Sequence, residues 1–180
     1  MRPLFFAVTA ISIAFAQSPV GVVKRPAPEK ALIFEVEIPA QRPAVWQAFT
    51  TSRGLSTWLT PGATVDLREG GEWTAHFPNG SVGGGTILSF VPEKEITISA
   101  MAPERFPAVR AERTSARFQF ETNGKSTLVR LVQTGWKNGE EWDRAYDYLA
   151  QGNAQMLDCL RRRFVSGPID RTTEWGATAK

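Results

Sequence analysis

Residues 138–164 read NGEEWDRAYDYLAQGNAQMLDCLRRRF, and their spacing decides the architecture. Trp142, Tyr146, Leu149, Asn153, Met156, Leu157, Leu160 and Phe164 recur at intervals of three and four, one continuous stripe on a long helix. Glu140, Glu141 and Asp143 lie at its positive end and Arg161, Arg162 and Arg163 at its negative end, both favourable to the helix dipole. Asn138, with Glu141 three residues on, predicts a capping-box variant at its start.

Upstream of this helix the chain is mostly strands. Residues 31–38 alternate, with Leu32, Phe34, Val36 and Ile38 on one face, and Pro39 ends the strand. Pro43 suits the first turn of a helix carrying Val45, Trp46 and Phe49. Ser52 is the expected cap of a second short helix with Leu55, Trp58 and Leu59, closed by Pro61-Gly62. Further strands are predicted at 65–68, 72–77, 86–91, 96–101, 115–122 and 127–134. Asn79-Gly80 and Asn123-Gly124 mark hairpins. Residues 103–113, with two prolines and three arginines, read as a loop. The class is α+β: a mainly hairpin-linked antiparallel sheet buries one face, and only the last helix is long enough to cover it. A helix lying across a curved sheet leaves a cavity beneath it.

The two ends read differently from this domain, which spans 31–164. Met1-Arg2, an apolar run over 3–13 and Ala14-Phe15-Ala16 predict a cleaved secretory signal over 1–16. The run is too short for a bilayer core, which needs about 20 residues. A mature chain starting at Gln17, periplasmic or secreted and with no stable membrane anchor, is the expectation. Residues 17–30, with Pro19, Pro26 and Pro28, read as an extended linker, and 165–180 as a loose tail.

Composition removes several chemistries. Across 180 residues, 42% apolar and 22% charged, the net charge of +3 is too small and scattered to recommend nucleic acid as a partner. One cysteine and one histidine leave no disulfide framework and no Cys- or His-rich metal centre, so neither metal nor cofactor is expected. His76 falls on the outer face of its strand, and Cys159 reads as a packed thiol. Gly83-Gly84-Gly85 runs into a strand rather than a helix, so it presents no phosphate site. Arg105, Arg110, Arg113 and Arg117 read as a solvated basic loop.

Several stretches together resemble one family. They are Ile38 to Phe49 with Gly54-Leu55-Ser-Thr-Trp58-Leu59, Gly70-Gly71-Glu-Trp73, Val91-Pro92-Glu-Lys-Glu-Ile96 and Gln133-Thr-Gly135-Trp136 leading to Glu141-Trp142. With the helix segment Tyr148 to Leu157, their order resembles the domain related to the C-terminal half of the Hsp90 ATPase activator, over roughly residues 31–164. That family is placed with the lipid-transfer (START), Bet v 1-like and polyketide cyclase proteins. The resemblance implies a helix-grip fold: a seven-stranded antiparallel sheet wrapped around a long C-terminal helix, two short helices after the first strand, and an apolar pocket. It also implies that Gln133 stands where relatives often carry histidine, and Asn153 where they usually carry tryptophan.

The expected activity is binding of an apolar or partly aromatic small molecule. Trp73, Phe77, Phe90, Phe118 and Phe120 would form the sheet wall, and Trp142, Tyr146, Leu149 and Met156 the helix wall. Gln133 and Asn153 would orient the ligand by hydrogen bonds. Of the six tryptophans, Trp46 reads as core, and Trp58, Trp73, Trp136 and Trp142 as cavity wall and mouth. Two alternatives come with the resemblance. One is a cyclase- or dehydratase-like enzyme using Gln133, Tyr146 or His76 for proton transfer; the other is a protein-interaction module, for which an exported chain would meet no cytosolic chaperone.

Overall fold

The computed structural model describes residues 18–170. The stretch over 1–16 expected to be a signal segment and most of the expected C-terminal tail lie outside the described residues. The elements run β1 (Val20–Arg25), β2 (Ala31–Ile38), α1 (Arg42–Thr50), α2 (Ser52–Leu55), β3 (Gly62–Val65), β4 (Glu72–His76), β5 (Val82–Val91) and β6 (Glu95–Met101). They continue through α3 (Pro107–Glu112), β7 (Thr114–Asn123) and β8 (Ser126–Thr134) to α4 (Glu140–Ser166). The strands form one antiparallel sheet in the order β1-β2-β8-β7-β6-β5-β4-β3, with α4 across its inner face.

The sheet has eight strands rather than the seven expected, because part of the presumed linker pairs. Pro19 and Pro26 flank β1 instead of interrupting it, and Val20–Arg25 lies antiparallel to residues 31–36. β1 is an edge strand that buries only Val20, so it lacks the alternation by which a half-buried strand is recognised.

Three local details also differ from expectation. The stretch expected as a loop contains α3, with Pro107 in its first turn, where a missing N–H is harmless. Glu141, from α4, accepts hydrogen bonds from the backbone N–H of Ala108 (2.8 Å) and Val109 (3.3 Å), so α3 is held by a distant carboxylate that no local pattern reveals. With Glu141 so engaged there is no capping box, and Gly139, at φ 130°, starts α4 without a side-chain cap. At α2, Thr51 rather than Ser52 caps the helix, its Oγ1 accepting from Gly54 N at 2.9 Å. Ser52 Oγ instead accepts from Val65 N and ties α2 to β3.

Phe49 centres the core at the α1 end of the sheet. Its ring lies 4.6 Å from Phe118, 5.0 Å from Trp73, 5.4 Å from Phe120 and 5.9 Å from Trp58. The indole N–H groups of Trp58 and Trp73 donate to the carbonyls of Ala48 and Phe49, each at 2.8 Å. Two carbonyls of the last turn of α1, which have no partner within the helix, are thereby satisfied. Trp58 is wholly buried by this arrangement, so it is a core residue and not a cavity wall.

At the other end of the sheet, Tyr146 fastens α4 to the β1–β2 hairpin. Its one hydroxyl proton is shared between the carbonyls of Ala31 (2.8 Å) and Arg25 (3.0 Å), and its ring stands edge-on to Trp136 at 5.0 Å. Lys24 pairs with Asp147 and Lys30 with Asp143 on either side of it. Burial pushes the Tyr146 hydroxyl above the ordinary tyrosine value of 10.0, so at high pH the folded form keeps a proton that the unfolded chain has released. The unfolded state then binds fewer protons, and stability falls as pH rises past 10.0. Tyr146→Phe is expected to lower unfolding stability by about 1–2 kcal/mol near neutral pH by removing these hydrogen bonds. The deficit should shrink above pH 10, because the Phe variant lacks the ionisation; denaturant titrations of both proteins at pH 7 and 10.5 measure it.

Candidate functional site

Beneath α4, over the half of the sheet remote from β1, lies a cavity of about 450 Å³. The expected single stripe on α4 divides in two. Trp142, Tyr146, Leu157 and Leu160 are buried in packing, whereas Leu149, Asn153 and Met156 are half-buried and line the cavity beside Gly152. Opposite them, the inner face of the sheet is tiled with small residues. Ala75 pairs with Gly83 between β4 and β5, Gly85 with Ala100 between β5 and β6, and Ala116 lies beside them on β7. Trp73, Phe77 and Phe118 stand around this floor as aromatic walls.

The glycines are not equivalent. A Cβ on Gly84, at φ 100°, would strike the Trp73 carbonyl oxygen, and one on Gly85 the Ser99 carbonyl oxygen, so backbone approach requires both. A Cβ on Gly83 would meet only the Phe77 ring edge, at 3.3 Å, and one on Gly152 would meet nothing within 4 Å. Gly152 sits in the interior of a 27-residue helix, where glycine costs about 1 kcal/mol relative to alanine. No packing contact explains it; what its missing side chain leaves is volume in the cavity.

One polar chain crosses this apolar space. Gln133, 3% exposed, donates through Nε2 to Thr114 Oγ1 at 2.8 Å, and its Oε1 accepts from Asn153 Nδ2 at 2.7 Å. Each buried side-chain nitrogen and oxygen of this amide chain has a hydrogen-bond partner, as buried amides require. Among the described residues the one buried side-chain polar atom without a partner is Arg42 Nε, far from this place in the fold. Asn153 Oδ1, which bonds to no protein group, is therefore open to the cavity as an acceptor.

The structure brings together seven of the eleven candidate residues: Trp73, Phe77, Phe118, Gln133, Leu149, Asn153 and Met156 all line the cavity. Four do not. Phe120 belongs to the Trp46–Phe49 cluster under α1, and Phe90 faces inward past the irregularity at Ile87/Ser89, away from the cavity. Trp142 packs edge-on to Trp136, and Tyr146 forms the clamp to β1–β2. Alternation identifies a face but not a position along it: at about 3.3 Å per strand residue, Phe118 and Phe120 are two residues apart, and although both meet Phe49 only Phe118 reaches the cavity. Likewise Tyr146 precedes Asn153 by about 10 Å along α4. Trp136 is also core rather than wall. Gly83, Gly152, Arg105 and Tyr148 line the cavity without having been singled out as its residues, because residue size patterns mark what fills space and not what leaves it empty.

His76 is exposed and Cys159 buried, and neither lines the cavity. Among the described residues no group of three His, Cys, Asp or Glu side chains could hold a metal ion. The cavity's charged groups are Glu104 and Arg105 at its mouth. Its interior offers shape, aromatic surface and amides.

Comparison with known proteins bears on the fold. The family model for the activator of Hsp90 ATPase homolog 1-like protein matches residues 39–164. No curated protein sequence matches. Among solved structures, protein MLL2253 from Mesorhizobium loti is 19% identical with a TM-score of 0.66, covering 78% of this chain and 100% of its own. The Aha1 dimer from Colwellia psychrerythraea is 21% identical with a TM-score of 0.62, covering 76% and 97%. CalU16 from Micromonospora echinospora is 21% identical with a TM-score of 0.56, covering 87% of each chain. At these identities the likeness is one of fold.

The amide chain makes a direct energetic test. Gln133→Leu strands Thr114 and Asn153 and should lower stability by about 1–3 kcal/mol. Adding Asn153→Leu removes one stranded partner, so the double variant should recover part of the loss, with a coupling of about 0.5–2 kcal/mol in a double-mutant cycle read by urea unfolding.

Proposed function

The chain belongs to the activator of Hsp90 ATPase homolog 1-like family, and from that premise we propose that it binds an apolar or partly aromatic small molecule in the cavity between α4 and the sheet. The observation that carries this reading is Gly152: a helix-interior glycine with open space around it, where alanine would stabilise the helix at no steric cost. Stability forgone for empty volume is the pattern expected where occupancy by a ligand matters. Gly83 and the small floor residues enlarge the same space from the sheet side. A volume of about 450 Å³, walled by Trp73, Phe77 and Phe118 with one open amide acceptor, is of the size and make-up of small-molecule sites.

The enzyme reading has less behind it. Tyr146 and His76, its expected proton carriers, lie outside the cavity, and the interior pairs Gln133 with another amide rather than with an acid or base. Nor do the exposed large apolar residues gather into a docking face: Val22 and Val23 are on β1, Leu88 and Val91 on β5 with four strands between, and Tyr148 and Val165 in opposite halves of α4. The proposal also has the mature chain exported, on the strength of residues 1–16. N-terminal sequencing of the exported protein should begin at Gln17; a chain that retains Met1 would refute export.

The binding test uses the neutral fluorophore N-phenyl-1-naphthylamine. It should bind the wild-type protein, with enhanced emission and quenched tryptophan fluorescence from Trp73. Gly152→Leu should match or exceed the wild type in stability, because leucine favours the helix and fills the void, yet weaken the probe at least tenfold, about 1.4 kcal/mol. Unchanged binding in a stable Gly152→Leu protein would put the probe elsewhere and refute this site.

A further inference from the structure

Four arginines lie near the stretch from β6 to β7, and three have different employment from one another. Arg117 is paired with Glu95 at 2.6 Å, and Arg110 donates to the Ala102 carbonyl at 2.6 Å. Arg105 alone borders the cavity. Its guanidinium lies over the Tyr148 ring, 4.4 Å from the centroid, with one nitrogen 3.5 Å from the Tyr148 hydroxyl. Among the described residues it makes no ion pair.

That placement is built rather than incidental. Tyr148 is on α4, one turn before the cavity-lining Gly152, and is itself braced by the Phe106 ring at 5.5 Å. Phe106 is buried and starts α3, whose N-terminal backbone N–H groups are held by Glu141. Arg105 therefore rests over one aromatic ring that is itself braced from behind, with most of its donors unused. Stacking fixes a guanidinium in advance, so less side-chain freedom is lost when an anion docks on it. Glu104 is the one acidic group lining the cavity, and among the described residues it forms no ion pair with Arg105. Deeper in, the polar groups are the neutral amides of Gln133 and Asn153, which offer no counter-charge.

We infer that the ligand of this cavity is an amphipathic monoanion, its apolar body on the Trp73–Phe118 side and its carboxylate-like head on Arg105 at the mouth. The inference rests on the small-molecule reading of the cavity and specifies the ligand's charge and direction of entry. It makes Arg105 a specificity-determining residue, with Tyr148 positioning it.

A matched pair of probes tests this: 8-anilinonaphthalene-1-sulfonate, and N-phenyl-1-naphthylamine, which has the same ring body without the anion. The wild-type protein should bind the sulfonate at least tenfold more tightly, and raising NaCl from 20 to 500 mM should weaken the sulfonate several-fold while leaving the amine within twofold. In Arg105→Gln both the preference and the salt dependence should disappear, with the amine's affinity changed by less than threefold. Amine binding also reports that the variant's cavity is intact, and the salt series on the wild-type protein needs no variant at all. Equal binding of the two probes, or a preference and salt dependence that survive Arg105→Gln, would overturn the head-group assignment and leave the cavity reading standing. Equal weakening of both probes by Arg105→Gln would also overturn it, making Arg105 a packing element of the rim. Failure of the amine to bind wild-type protein would overturn the cavity reading and this inference with it.

Discussion

A straight helix cannot follow a twisting sheet. Adjacent strands rotate by roughly 20–25°, while α4, 27 residues and about 40 Å long, stays a rod. If the helix is seated at one edge of eight strands, it must lift from the others. The seat is at β1 and β2, where Tyr146 reaches two backbone carbonyls at once. Over β4 to β6 the gap is left open because the sheet answers with alanine and glycine where leucine or phenylalanine would have closed it. The cavity is thus the joint product of one geometric mismatch and a choice not to fill it.

Its walls are stiff for a separate reason. Trp73 borders the cavity with its ring, but its indole N–H is spent on the Phe49 carbonyl at the end of α1. Phe118 packs on Phe49 from the neighbouring side. Both wall residues are therefore orientated from behind by the Phe49 cluster, whatever occupies the space in front of them. Such support lowers the entropy lost when a ligand settles, since the rings are already placed. The rim on the other side is held the same way, by α3 on Glu141 and by Phe106 against Tyr148.

Periodicity made the skeleton of this fold readable. The three-and-four spacing along 142–164, the alternation over 31–38 and the two Asn-Gly hairpins each report a local conformation tied to burial, and the elements they predict are present. β1 and α3 escaped because neither buries a face of its own: β1 hides Val20 alone, and α3 is six residues held by a carboxylate from a helix some thirty residues further on. In the site, Gln133 and Asn153 stood out as polar residues on apolar lines, and they do meet. Tyr146 lay on the same line and went to the clamp, since a stripe does not say what each turn of the helix faces. Gly152 was legible only as an imperfection in a helix; its meaning depends on the space around it.

The strand order has a consequence in time as well as in space. β8 lies between β2 and β7, joining residues 32–38 to residues 127–133. Until β8 exists, the β1–β2 hairpin and the meander from β3 to β7 are two separate pieces, each with a bare edge and an uncovered apolar face. The element that covers them, α4, comes last of all. Pairings this far apart in sequence are slow to form, because the loop between them must close before any contact rewards it. A chain arranged in this way has little to gain from collapsing early: its first hundred residues contain most of the sheet and none of the closure.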